Sequence, residues 1–64
     1  MQPHQERVIA EKDALDEKIG KLGYFVKSSP IFKTLPVAEQ LRLTKQLSVM
    51  GEYSIILKDR IAAF

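Results

Sequence analysis

Apolar residues in the first half of the chain recur at the spacing of one helix face. They lie seven, four, three and four positions apart, at Val8, Leu15, Ile19, Leu22 and Val26. Apolar residues three or four positions apart are typical of an amphipathic helix. The pattern ends at a Ser-Ser-Pro run, because Pro30 disfavours helical backbone at the residue before it. The sequence therefore predicts a first helix over about residues 4–28.

The second half of the chain carries a more regular pattern, with steps of four and three positions. Its members are Leu43, Leu47, Met50, Ser54, Leu57, Ile61 and Phe64. Such alternation is a heptad seam, here with one polar step at Ser54. Pro36 suits a first helical turn, and Glu39 lies where the helix dipole favours an anion. We predict a second helix over about residues 36–63.

The nine residues between the two patterns form a short connection, "SSPIFKTLP". A short connection makes two helices antiparallel neighbours, and no segment has the alternating pattern of a strand. We expect Ile31, Phe32 and Leu35 to cover the end of the core from this corner. Residues 1–64 are thus predicted to form one all-α domain, an antiparallel two-helix hairpin with Leu15 opposite Ser54.

Length and composition favour self-association. A chain of 64 residues buries only about 60% of the surface that its unfolded form exposes, and small domains gain support from disulfides, metal ions or oligomerisation. The chain has no cysteine and its one histidine, His4, lies near a terminus, so we expect no cofactor and no metal. Val49, Ile55 and Ile56 lie off the predicted seam. We therefore predict a homo-oligomer.

Charge and hydropathy narrow the expected partners and location. The formal net charge is only +2, with both signs interspersed, so we expect no nucleic-acid partner. No apolar run approaches the roughly 20 residues of a membrane span. The N-terminal "MQPHQERV" lacks the apolar core of a signal peptide. We expect a cytoplasmic protein without a membrane partner.

Three glycines lie inside the predicted helices, although each costs about 1 kcal/mol there relative to alanine. Helix pairing places Gly20, Gly23 and Gly51 at similar heights. They allow a close helix approach or a bend, or they leave a hollow for a ligand. Charged, aromatic and amide side chains nearby could bind a phosphate-bearing nucleotide. The candidate ligand-binding residues are Lys18, Lys21, Tyr24, Gln46, Tyr53 and Arg60.

Part of this candidate set has a competing structural interpretation. Gln46, Tyr53 and Arg60 are spaced by seven beside the seam, where polar residues also set the register of paired helices. An ion pair with Glu11 is the competing role for Arg60. No cysteine nucleophile, serine–histidine pair or histidine–carboxylate cluster is present, so we expect no catalytic activity.

One further pattern extends along nearly the whole chain. It consists of Arg7-Val8, Glu11-Lys12, Leu15, Ile19, Lys21-Leu22, Phe25, Phe32, Leu35, Glu39-Gln40, Gln46, Met50, Tyr53, Leu57 and Arg60-Ile61. In these residues the chain resembles a family of small proteins from tailed phages, including crAss-like phages. Pro36 stands where that family pattern would have Ser or Asp, which affects only the helix cap.

In architecture the chain also resembles phage anti-CBASS and anti-Thoeris sponges, some of which are oligomeric helical hairpins that hold cyclic nucleotide signals between protomers. This resemblance implies a phage anti-defence protein that sequesters a nucleotide signal in the host cytoplasm without catalysis. The alternative is a protein that inhibits a host defence enzyme through an exposed helix face, as an anti-CRISPR does. A DNA-binding regulator is disfavoured by the balanced charge.

Overall fold

The computed structural model describes all 64 residues and contains two long helices joined by a short corner. Helix α1 spans Pro3–Ser28 and helix α2 spans Val37–Ala62. The predicted bounds are confirmed to within one residue at each end. Pro36 precedes α2 as its N-cap, so it lies just outside the first turn rather than within it. Neither helix is long and apolar enough to cross a membrane.

The corner is built from a 3-10 turn and a few side-chain contacts. The 3-10 helix spans Phe32–Thr34. The Phe32 ring meets the Phe25 ring edge-on, with centroids 5.9 Å apart and planes at 84°. The Gln40 side chain donates to the Leu35 carbonyl at 2.8 Å. Phe32 and Leu35 are half-buried, as expected, but Ile31 is exposed, so its predicted place over the core is wrong.

The two helices pack against each other along the predicted seam and form a rod of 46 × 15 × 13 Å. Leu57 is fully buried and Val8 nearly so, and they are the only buried residues. Phe64 is 46% exposed, beyond the end of α2, so its predicted place in the seam is wrong. The remaining seam residues are half-buried because a second helix covers only one side of each. The half-buried set is Leu15, Ile19, Leu22, Val26, Leu43, Leu47, Met50, Ser54 and Ile61.

Ser54, the polar step of the seam, explains how the helices are held in register. Its hydroxyl donates to Asp16 Oδ1 at 2.5 Å, and Lys12 Nζ donates to Ser54 Oγ at 3.3 Å. Both partners lie within one turn of Leu15, which was predicted to face Ser54. The seam therefore accepts a hydroxyl because α1 provides both a donor and an acceptor for it.

Candidate functional site

A groove of about 530 Å³ lies between the C-terminal half of α1 and the middle of α2. Its volume falls within the range of about 300–1,000 Å³ that is usual for small-molecule sites. Helix α1 supplies most of the lining, and Leu47 is the contribution of α2. The lining residues are Ile19, Gly20, Gly23, Tyr24, Lys27, Ser28 and Leu47.

Two of the three glycines form part of this groove. A methyl group added at Gly20 would meet nothing within 4 Å, and one at Gly23 would only touch Leu47 Cδ1 at 4.0 Å. Gly51 is also open but does not line the groove. A close approach between the helices therefore does not explain Gly20 or Gly51 within one protomer. The missing side chains leave room over α1 instead.

The side chains at the rim of the groove offer stacking, positive charge and hydrogen bonding. The Tyr24 side chain is 71% exposed and makes no side-chain hydrogen bond. Lys27, in the last turn of α1, has no carboxylate within ion-pair distance. Ser28 adds a hydroxyl at the helix end. This arrangement could hold a planar ring over the glycines and an anionic group beside Lys27.

Of the six predicted ligand-binding residues, only Tyr24 lines the groove. Lys21 follows Gly20 in the chain but does not line the groove, and it pairs with Glu17, with Nζ and Oε1 3.0 Å apart. Lys18 is exposed and makes no ion pair. The structure therefore separates the predicted lysines from the groove lining.

The other three predicted residues lie along α2, outside the groove. The Gln46 amide lies 3.8 Å from the Met50 sulfur. The Tyr53 hydroxyl donates to Glu11 Oε2 on α1. Arg60 has no carboxylate within ion-pair distance, so the Glu11–Arg60 pair considered above does not form. Glu11 is engaged by Tyr53 instead, which gives Tyr53 a part in joining the helices.

Two pKa shifts mark the polar contacts between the helices. Hydrogen bonds from Lys12 and then from Ser54 lower the pKa of Asp16 below its ordinary value of 3.8, since both stabilise the carboxylate. The hydrogen bond to Glu11 raises the pKa of Tyr53 above its ordinary value of 10.0, since ionising the phenol would remove that bond. The positive charge of Arg60 acts on Tyr53 in the opposite direction.

Sequence reasoning missed Lys27, Ser28 and the polar cluster around Ser54. A signal for Lys27 was present, because it follows Gly20 by seven positions and therefore shares its helix face. The signal for the cluster was the polar step of the seam at Ser54, but its partners on α1 could not be selected without the helix rotation. Asp16 is exposed, yet it accepts a hydrogen bond from Ser54 on α2.

Comparison with known proteins identifies the family. No curated protein and no solved structure matches the chain. The family model described as Sequestin matches residues 2–63, which is almost the entire hairpin. The chain belongs to the Sequestin family.

Proposed function

We propose that this protein sequesters a phosphate-bearing nucleotide signal, cyclic or otherwise, and does so without catalysis. The observation that carries the proposal is the groove over Gly20 and Gly23, with Tyr24 and Lys27 at its rim. The name of the family is consistent with a sequestering, non-catalytic role. Sequestration requires only affinity for the ligand and enough protein, so a groove that can bind a ligand is sufficient for it.

Different side chains around the groove would bind different parts of the ligand. A base would stack on the Tyr24 ring, an interaction of about 1–3 kcal/mol per base. A phosphate would approach the Lys27 ammonium, which also offsets the negative end of the α1 dipole. Lys18, Lys21, Gln46, Tyr53 and Arg60 remain candidates for contacts outside the groove. The proposed biological role is phage anti-defence in the host cytoplasm.

The first experiment screens for ligands and for catalysis together. The protein is mixed with cyclic dinucleotides, cyclic trinucleotides and cyclic ADP-ribose isomers, and its melting temperature is measured. A ligand at 100 times its Kd should stabilise the fold by about 2.7 kcal/mol. The ligand is then recovered by heat denaturation and analysed by chromatography. Intact ligand supports sequestration, and a converted product would contradict it.

The second experiment tests the groove with a matched pair of substitutions. Gly20→Leu should fill the groove and abolish binding, because a leucine there projects into open space next to Tyr24. Gly51→Leu is the control, since Gly51 is equally open but lies outside the groove. Calorimetric titration with the ligand from the screen measures both. If both variants bind the ligand equally well, the ligand binds outside the groove.

A second candidate function is inhibition of a host defence enzyme through an exposed helix face. The observation in its favour is a set of exposed apolar side chains on one face of α2, with Val37 and Leu41 near its start and Ile55 about four turns further along. A helix face with exposed apolar side chains can dock into the apolar groove of another protein. Leu41→Asp would abolish inhibition in this case and leave nucleotide binding unchanged, so that variant separates the two functions.

A further inference from the structure

The hairpin exposes more surface than a compact protein of its mass. Its accessible surface is 4880 Å² for 7.3 kDa. A compact monomer of that mass exposes about 4,200 Å², so about 700 Å² per chain is in excess. A standard protein–protein interface covers about 800 Å² on each partner. The excess is therefore close to the area that one partner of ordinary size would cover.

Helix α2 carries a second heptad seam beside the one that packs on α1. Its members are Gln46, Val49, Tyr53, Ile56, Arg60 and Ala63, with steps of three and four positions. These steps match the spacing of the first seam, but the set is rotated by about 100° around the helix relative to Leu57 and Met50. All six are exposed in the protomer. A helix with two such seams is built to pack between two neighbouring helices.

The charges beside the second seam match a second copy of α2 running in the opposite direction. Lys45, Glu52 and Asp59 are spaced by seven along one flank of this seam. With a two-fold axis near residue 52, Lys45 of each copy meets Asp59 of the other. Neither residue has an ion-pair partner within the protomer. A parallel pair would instead bring these charges to Met50 and Leu57.

We propose that two copies of this chain associate through the second seam of α2, antiparallel, to form a four-helix bundle. Val49 of each copy then lies beside Tyr53 and Ile56 of the other, where these three side chains lose their exposure. The two Lys45–Asp59 contacts set the register at either end. The two Glu52 side chains of the dimer face each other across the two-fold axis, which is an unfavourable contact. The inference does not depend on any nucleotide ligand.

Adjacent isoleucines provide a matched test of this surface. Ile56 is 54% exposed and belongs to the second seam, whereas Ile55 is 60% exposed and lies outside it. Sedimentation equilibrium should give twice the 7.3 kDa chain mass for the native protein. Ile56→Asp should raise the dimer Kd by about 100-fold or more, since it buries a charge without a partner. Ile55→Asp should leave the Kd unchanged.

Either of two results would overturn the proposal. One is a native protein that sediments as a monomer at about 50 µM, because interfaces of standard size have Kd values in the micromolar range or below. The other is an Ile55→Asp variant that dissociates while Ile56→Asp does not, which would assign the contact to the opposite face of α2. Circular dichroism on both variants confirms that the hairpin stays folded.

Charge reversal tests the antiparallel register without touching an apolar residue. Lys45→Glu places like charges together at both ends of the interface, and so does Asp59→Lys; each should raise the Kd by about 10-fold. An equimolar mixture of the two variants should recover native affinity, because both ends of the mixed dimer then pair opposite charges. Glu52→Gln should tighten the native dimer. If the mixed variants dimerise with a Kd no lower than that of either variant alone, this register is wrong.

Discussion

At the scale of single residues, polar contacts between the helices help to set their register. Only two residues are buried, so the apolar seam alone specifies the helix register weakly. The Ser54 hydroxyl with Asp16 and Lys12, and the Tyr53 hydroxyl with Glu11, each join α1 to α2. A hydrogen bond with a charged partner contributes about 1.5–3 kcal/mol where it is shielded from water. These are more exposed, so we expect them to specify register more than to add stability.

The lowered pKa of Asp16 predicts a specific loss of stability in acid. A carboxylate with a depressed folded-state pKa stabilises the fold above its ordinary value of 3.8, and that contribution is lost as the pH falls through the folded value. Asp16→Asn should therefore make stability less dependent on pH in this window. Asp13→Asn is the control, because Asp13 makes no side-chain hydrogen bond. Thermal melts from about pH 2 to 7 compare them, and identical curves would contradict the assignment.

Arg60 gives a prediction that separates binding from folding. Since it has no ion-pair partner in the protomer, Arg60→Ala should change the free energy of unfolding of the monomer by less than about 0.5 kcal/mol. If Arg60 holds a phosphate of the ligand, the same change should weaken binding by about 10- to 150-fold. Tyr53→Phe is the contrasting variant, because it removes the bond to Glu11 and should lower the melting temperature. A melting curve and a calorimetric titration decide each case.

At the scale of the element, α1 is a continuous helix that tolerates two glycines in its C-terminal half. All three glycines of the chain have negative φ, so none is required for a left-handed turn. Nor does a close helix approach require Gly20, because the space above it is empty. Gly20 therefore lowers the stability of α1 without a backbone or packing requirement for it. Its structural consequence is the open space of the groove.

Gly20→Ala should accordingly raise the free energy of unfolding by about 1 kcal/mol. The reason is that the methyl group reduces the freedom of the unfolded chain and meets no neighbour in the fold. Gly51→Ala should have the same effect, for the same reason. Chemical denaturation at a fixed protein concentration measures both. A loss of stability at Gly20, of about 1–3 kcal/mol from overpacking, would mean that the groove is filled in solution.

At the scale of the whole molecule, stability depends on very few buried side chains. A hydrophobic core in a domain this small rarely provides more than about 3–5 kcal/mol. Leu57 is the one fully buried side chain, and it lies against α1 rather than in the second seam. A charged substitution at Leu57 should therefore unfold the hairpin, whereas a charged substitution in the second seam should only dissociate the dimer.

Leu57→Asp is the corresponding prediction. A charge at a fully buried position costs several kcal/mol unless it is neutralised, which equals or exceeds the expected stability of the chain. We expect circular dichroism to show loss of helix at neutral pH, with partial recovery in acid where the carboxyl is protonated. Retention of the native helix content as a folded monomer would instead place Leu57 at an interface between copies.

The helices and their seam were determined by the sequence alone. Apolar spacing at three and four positions is a local property, and Pro30 and Pro36 mark the helix ends through backbone sterics that need no neighbour. The hairpin follows because the connection is short. For these reasons the predicted bounds agree with the structure within one residue.

Only the tertiary structure decided which side chains meet. The sequence offered Arg60 as a partner for Glu11, and the helix rotation assigns Glu11 to Tyr53 instead. The same rotation turns Gly20, Gly23 and Lys27 toward one groove and leaves Lys18 outside it. Side-chain reach across the interface depends on the relative position of two helix axes, which periodicity within either helix does not contain.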